Sequence, residues 1–535
     1  MLLDKQRLGD DRLAQVGLAL AAVATLVFTV VGAAVRPAMY SDSSFGFMVW
    51  DSMRRGSAFN FLVFPDAADI ARDGTAFATT WTPGQYLLPG LLETMGLDLG
   101  VSIVVVVGLA SALGLWGWYA LYRTFGFSPR TCTAALLLIV FNRQFTLPFG
   151  IYNGGEVLIF GAIPWGFLLV WRLRALPWWS PLPLVAATAV MVFMKLSGII
   201  FMGAAISAVV PSGRPPWINR DTVRKAVVAG GTLVACAALF QWAWLSRGWS
   251  VVQAVGQTDW SVLAKALPFT VSATWTSIFS FGGLFLYLFF FPGRQLLASD
   301  QVLNLLLVPP ALATAAFVWW RLRRDYPDYV RFAFFATAAM IVFFVGLWLR
   351  GGDVSMEERH FRPISLLLTV GVVEAFLGAR SRIVRGLFAA MAGLAALYGV
   401  ASFVQHARTN LKDTLGTRGV RLHNTSAPVL DFLATVDKVD PDGTRPLFYV
   451  PMPEMALEPR NARIVSGLAD FEPHAVLATQ VRRGKVRRLY VALQKKLVDN
   501  GKADIILKSF TDIPADAWKK TTLGDFVVFA ATPAP

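Results

Sequence analysis

The chain has 535 residues, 55% of them hydrophobic and only 16% charged, with a mean hydropathy of +0.54, whereas soluble domains carry roughly 25% charged residues. That balance excludes an ordinary soluble protein, and apolar runs of the roughly 20 residues that cross a bilayer select membrane helices over a barrel. The net charge of +15 does not indicate nucleic acid, because Lys and Arg of a membrane protein collect in its cytoplasmic connections.

The chain opens with charges and then an apolar run, read as an uncleaved first membrane helix over about 13–35 rather than a signal peptide. Further spans are expected at about 100–122, 131–148, 157–171, 181–194, 197–211, 226–246, 302–320, 332–349, 364–379 and 386–404, about eleven in all. With the N-terminus inside, the connections "YRTFGFSPR", "WRLRALPWW", "PSGRPPWINRDTVRK", "RLRRDYPDYVR" and "GARSRIVR" are cytoplasmic, short and basic, as orientation requires. The apolar stretch 278–291 is read as interfacial or re-entrant, because a crossing there would move "RLRRDYPDYVR" outside.

This arrangement puts the large loops on the outer face. The first, about 36–99, holds "TTWTPGQYLLPGLLETMG", whose apolar run is too short to cross and suits an interfacial helix. The next is "FGIYNGGEVL", a third runs from about 247 to 301, and a fourth is "RGGDVSMEERHFRP", Arg350–Pro363. From 406 to 535 the chain reads as a small soluble α/β domain on the outer side. There "PLFYVPM", "ARIVSG" and "DFVVFAA" are expected as strands, and "APVLDFLATVDKV" and "VRRLYVALQKKLVDNG" as helices. The two cysteines, Cys132 and Cys236, lie in apolar runs and form no metal or redox motif. No P-loop, H-E-x-x-H or G-x-S-x-G sequence is present. The four histidines form no zinc-type spacing, and a carboxylate-held divalent cation is left open.

Ionisable residues at the outer boundary carry the chemistry. Asp42, in "YSDSS" just past the first span, is a general base if partly desolvated, or a helix cap; Asp51 follows it. In "EERHFRP" the arginines Arg359 and Arg362 suit a phosphate, or a collar on lipid headgroups. The neighbouring Glu357 and Glu358 argue against a simple collar, and His360 is either part of the cluster or an ordinary interfacial residue. Glu156 opens a span after Gly-Gly, facing an outer cleft or complementing a helix dipole. Lys195, between two short apolar runs, is a phosphate ligand or a snorkelling residue. Asn142–Gln144 add a polar cluster late in the third span, where bundle packing is an equal reading.

The pattern resembles the GT-C superfamily of integral-membrane glycosyltransferases, which use polyprenyl-phosphate-linked sugars and include protein O-mannosyltransferases and lipid A aminoarabinose transferases. The resemblance rests on Asp42 after the first span and on "WTPGQYLLPG" with Pro83 and Tyr86, where Gly84 replaces the second proline of the family's pattern. It rests also on "ERHFRP" before a later span, where Pro363 falls one residue late, and on the outer C-terminal domain. It implies a GT-C-like catalytic domain over 1–405 in a bacterial inner membrane, with 406–535 periplasmic. It further implies an inverting transfer from a polyprenyl-phosphate sugar to an acceptor hydroxyl on a glycan, lipid or protein at the outer face. Asp42 would be the base, while Arg359, Arg362, Lys195 and His360 would hold the donor phosphate. Glu156, Glu357, Glu358 and Asp51 would position the acceptor, an arginine or a metal ion. The competing readings are a transporter or flippase of a lipid-linked saccharide, for which internal repeats are expected and not found, and a scaffold for a partner.

Overall fold

The computed structural model describes residues 2–65, 72–211, 219–248, 258–291, 294–295, 297, 299–352, 354–423, 425–450, 452–466, 488–510 and 513–532. The helices begin with α1 (Leu2–Val35), α2 (Ser41–Arg54), α3 (Gly84–Thr94), α4 (Leu99–Thr124), α5 (Pro129–Val140), α6 (Arg143–Gly150), α7 (Gly155–Arg172), α8 (Pro181–Met194) and α9 (Gly198–Ala208). They continue with α10 (Arg220–Ala243), α11 (Leu263–Thr276), α12 (Phe281–Phe289), α13 (Asp300–Leu322), α14 (Pro327–Leu349), α15 (Arg362–Leu377), α16 (Arg382–Lys412) and α17 (Ala427–Val436). The chain forms two compact units: Met1–Val31 with Val106–Phe149 and Gly155–Gln405, and Gly32–Val105 with Gly150–Gly154 and His406–Pro535.

The first unit is a helical bundle. Along α1 the large side chains Leu13, Val16, Leu20, Val23, Val27 and Val30 are exposed, while Ala14, Ala21 and Ala24 are buried. That is the membrane pattern: bulk toward lipid, and small residues where helices approach closely. At Gly17 an added Cβ would stand 2.4 Å from Thr133 Cγ2 of α5. Aromatic packing fills the interior, with Phe127 stacked on Tyr326 at 4.3 Å between ring centroids and Phe125 against Tyr329 at 5.5 Å.

Among the described residues, eight helices are long and apolar enough to cross a membrane, and α5 with α6 makes a ninth if that pair, bent by 45°, is one span. The chain is thus a multi-pass α-helical membrane protein, but the expected count of eleven is not reached on this measure. The shortfall lies at α8 and α9, with 14 and 11 residues, or about 21 and 17 Å of helix against a hydrocarbon core of about 30 Å. The loop expected over 247–301 also differs: its described part contains α11, packed against α13 and α14, and α12. α12 covers most of 278–291 and has only nine residues.

The second unit is α/β. Strand β1 (Ala38–Met39) pairs in parallel with β4 (Ile151–Tyr152) and β8 (Arg421–Leu422), and β8 pairs with β7 (Thr414–Leu415). The hairpin of β2 (Phe61–Pro65) and β3 (Asp73–Phe77) follows α2. Expected as an interfacial helix, "TTWTPGQYLLPGLLETMG" supplies α3, entered through Pro83. Tyr86 is fully buried and donates its hydroxyl to Asn60 Oδ1 at 2.5 Å.

A mixed sheet with strand order β10–β9–β11–β13–β12 completes this unit. Its strands are β9 (Leu447–Val450), β10 (Arg463–Ser466), β11 (Leu489–Gln494), β12 (Lys519–Leu523) and β13 (Phe526–Ala531). Val429 and Leu433 of α17 pack on one face, and Leu497, Ile506 and Phe510 pack on the other. The expected strands in "PLFYVPM", "ARIVSG" and "DFVVFAA" and the helix in "APVLDFLATVDKV" are present. The expected helix "VRRLYVALQKKLVDNG" is a correction: its Val486 and Arg487 lie outside the described residues, 489–494 form β11, and only Lys495–Asp499 are helical.

Candidate functional site

The first unit gathers ionisable residues from distant parts of the sequence. Glu156 stands in the first turn of α7. Lys195 ends α8 in an extended conformation, φ −157° and ψ 137°, so the chain leaves the helix there and its side chain is free to reach α7. Glu156 Oε1 meets Lys195 Nζ at 2.6 Å and Arg359 Nη1 at 3.3 Å. Gly155 permits the approach: a Cβ there would lie 2.7 Å from the Met194 carbonyl oxygen and 2.9 Å from Lys195 Cβ. Both the lysine and the glutamate are largely buried, with side chains 18% and 17% exposed. Lys195 is therefore ion-paired, and burying such charges is tolerated only because they are paired.

The adjacent glutamates diverge. Glu357 is extended, just before a 3-10 turn over Glu358–Phe361, and its carboxylate meets Arg359 Nε at 2.8 Å. Glu358 turns the other way and accepts the Gly282 amide of α12 at 3.1 Å. Arg362 is buried and donates Nη1 to the Ser277 carbonyl at 2.6 Å; Arg143, over the Tyr398 ring at 5.8 Å, and Arg362 are the cations in whose field Glu358 lies. His360 packs by the Phe344 ring, 6.0 Å between centroids, and is in the field of Lys195, Arg359 and Glu156. Asp353 lies outside the described residues. The polar group Asn142–Gln144 marks the α5–α6 bend: Asn142 donates to the Ile278 carbonyl at 3.0 Å and accepts from the Gln144 amide at 3.0 Å.

The remaining expected site residues, Asp42 and Asp51, belong to the second unit. Asp42 is exposed in the first turn of α2, where a carboxylate complements the helix dipole. The cap position belongs to Tyr40, so Asp42 is not the capping residue. Asp51 meets Arg418 Nη1 at 2.8 Å, and Arg418 also grips Glu93 through Nε at 2.9 Å and Nη2 at 2.8 Å. Burial pushes the Asp51 carboxyl above its ordinary value against the pull of Arg418. Sequence reasoning missed Arg418, Glu93 and Tyr398; the first two lie 325 positions apart and nothing local joins them. Among the described residues no group of three or more His, Cys, Asp or Glu could hold a metal ion.

No protein-family model and no curated protein matches the sequence. Solved structures do. ArnT from Cupriavidus metallidurans bound to undecaprenyl phosphate superposes with a TM-score of 0.55 at 13% identity, over 97% of this chain and 99% of that one. The apo state of ArnT gives 0.51 at 13% identity, again over 97% and 99%. Arabinofuranosyltransferase AftD from Mycobacteria gives 0.51 at 14% identity, over 97% of this chain but 40% of the longer AftD chain. Identities this low speak for the fold alone, and that fold, over nearly the whole chain, is the GT-C fold.

Proposed function

We propose that the protein is an inverting glycosyltransferase that moves a sugar from a polyprenyl-phosphate carrier to an acceptor hydroxyl on the outer face of a bacterial inner membrane. The observation that carries this reading is the convergence of Lys195 and Arg359 on Glu156 in a chain of GT-C fold. In the reaction the acceptor oxygen attacks the anomeric carbon, and the bond from that carbon to the phosphate oxygen breaks. The electron pair leaves with the phosphate, which gains one negative charge as the diester becomes a monoester. Lys195 and Arg359 are the cations for that charge, and a largely buried setting strengthens them. Glu156 holds both in place. The resemblance assigns the acceptor proton to Asp42, whose carboxylate is exposed in the first turn of α2.

The test uses full-length protein in lipid with a polyprenyl-phosphate sugar. Asp42→Asn is expected to lower transfer by about 10²–10⁴-fold while polyprenyl phosphate still binds. Lys195→Gln is expected to weaken that binding. Undiminished transfer by folded Asp42→Asn would remove Asp42 as the base.

A further inference from the structure

A cleft of about 200 Å³ opens within the second unit, lined by α2, β2, β3 and β10 and by Arg445. Asp51 and Asp73 line it, but both are neutralised inside the fold. Asp51 is held by Arg418 at 2.8 Å, and Asp73 by Arg463 at 2.8 Å through Nε and 2.7 Å through Nη2. Two further guanidinium groups line the same cleft, Arg55 and Arg445, both exposed. Arg55 donates to the Asp51 carbonyl at 3.2 Å, and no described carboxylate forms an ion pair with either arginine. Among the described residues the cleft therefore has a positive excess, beside the apolar side chains of Leu62, Phe64 and Ile464.

The wall carrying β10 is built rather than loose. The Asp437 carboxylate collects the amides of Arg460 at 2.6 Å and Ala462 at 2.6 Å, which fixes the entry to β10. Pairing with β9 then holds Arg463 and Ile464 in register with Leu447 and Phe448.

We infer that this cleft binds an acidic saccharide, its carboxylate or phosphate groups on Arg55 and Arg445 and the apolar faces of its rings on Leu62, Phe64 and Ile464. The preference for an anion rests on the cleft's own charges, and the choice of a saccharide rests on the transferase reading, with the occupant being part of the acceptor. Guanidinium forks suit either acidic group, so the probes must separate them.

Full-length protein in neutral detergent is titrated with a galacturonate oligosaccharide, a phosphorylated maltooligosaccharide and a neutral maltooligosaccharide of equal length. Vesicles containing an anionic phospholipid form a fourth arm, and polyprenyl phosphate binding is measured on the same samples. At least one acidic probe is expected to bind, salt-sensitively, and to lose about tenfold or more in affinity in the Arg55→Gln/Arg445→Gln double variant; whichever acidic probe binds names the group. Equal binding by wild type and double variant overturns the inference, as does neutral probe binding as tight as acidic. Binding confined to the vesicles and lost in the double variant overturns it in favour of a headgroup contact. Acidic probe binding without any polyprenyl phosphate binding sinks the transferase reading and leaves the anion preference of the cleft standing.

Discussion

Glu156 holds Lys195 at 2.6 Å and Arg359 at 3.3 Å, so removing the lysine leaves a largely buried carboxylate with the longer of its two contacts. Lys195→Met is expected to destabilise the protein by about 3 kcal/mol, because breaking a buried pair costs more than the pair contributes. Adding Glu156→Gln removes the stranded charge and is expected to restore most of the thermal midpoint in detergent, but not sugar transfer. A double variant that regains both would reduce the pair to a structural role. The sequence made these residues conspicuous, since a lysine between short apolar runs and a glutamate opening another are costly without a partner. It did not join them, because the partner of each lies on another helix. Nor did it separate Glu357 from Glu358; that depends on the change from extended backbone to a 3-10 turn between them, which sends neighbouring side chains opposite ways.

Helix α12 is tied to the segment carrying Arg359 by the bond from the Gly282 amide to Glu358. A Cβ at position 282 would stand 2.6 Å from Glu358 Oε2, so Gly282→Ala must push the carboxylate off the amide. A loss of about 1–3 kcal/mol is expected, visible as a lower thermal midpoint and faster proteolysis near 281–291. In the second unit Arg418 clamps α2 to α3 through Asp51 and Glu93. Arg418→Gln is expected to cost about 3–5 kcal/mol at neutral pH. Burial already holds the Asp51 carboxyl above its ordinary 3.8, and without the arginine it rises further. A carboxyl raised in the folded state contributes stability below its unfolded value and loses it as pH climbs through the folded one. The deficit of the variant should thus be smallest in acid and grow from about pH 4 upward. Thermal midpoints across a pH series read this, and a deficit independent of pH would contradict it. Elements of this size were legible where one pattern was unmixed. The misread β11 has five of its six positions buried, so Leu489, Leu493 and the following Leu497, spaced four apart, read as a helical stripe, the ambiguity of any central strand. Helix α11 was missed because 14 residues interrupted by Pro268 make neither a span nor a clean amphipathic pattern.

At the scale of the whole molecule, the GT-C fold was reached through the resemblance carried by Asp42, Pro83, Tyr86 and "ERHFRP", and the multi-pass helical class was legible because long apolar runs are set by the bilayer rather than by fine packing. The number of crossings was not, because α8 and α9 are apolar yet short, and apolar composition alone does not distinguish a short span from a buried helix. The position of α12 decides the orientation of everything after it. Its nine residues make about 14 Å of helix, less than half of a ~30 Å hydrocarbon core, and a bond to Glu358 holds its first turn. A re-entrant α12 keeps the basic turn after α13 on the cytoplasmic side, as positive charges prefer. Both native cysteines are buried, which gives a low background for a membrane-impermeant maleimide applied to intact spheroplasts. Single cysteines at the exposed positions Ala58, Arg324 and Asp516 report the first large loop, the turn after α13 and the C-terminal sheet. Ala58→Cys and Asp516→Cys are expected to react at once, and Arg324→Cys only after permeabilisation. If α12 crossed the membrane, Arg324→Cys would react from outside. An even number of crossings between the first loop and the end of the chain is what gives Asp516→Cys the same sidedness as Ala58→Cys, so unequal labelling of those two would overturn the assignment of 406–535 to the outer face.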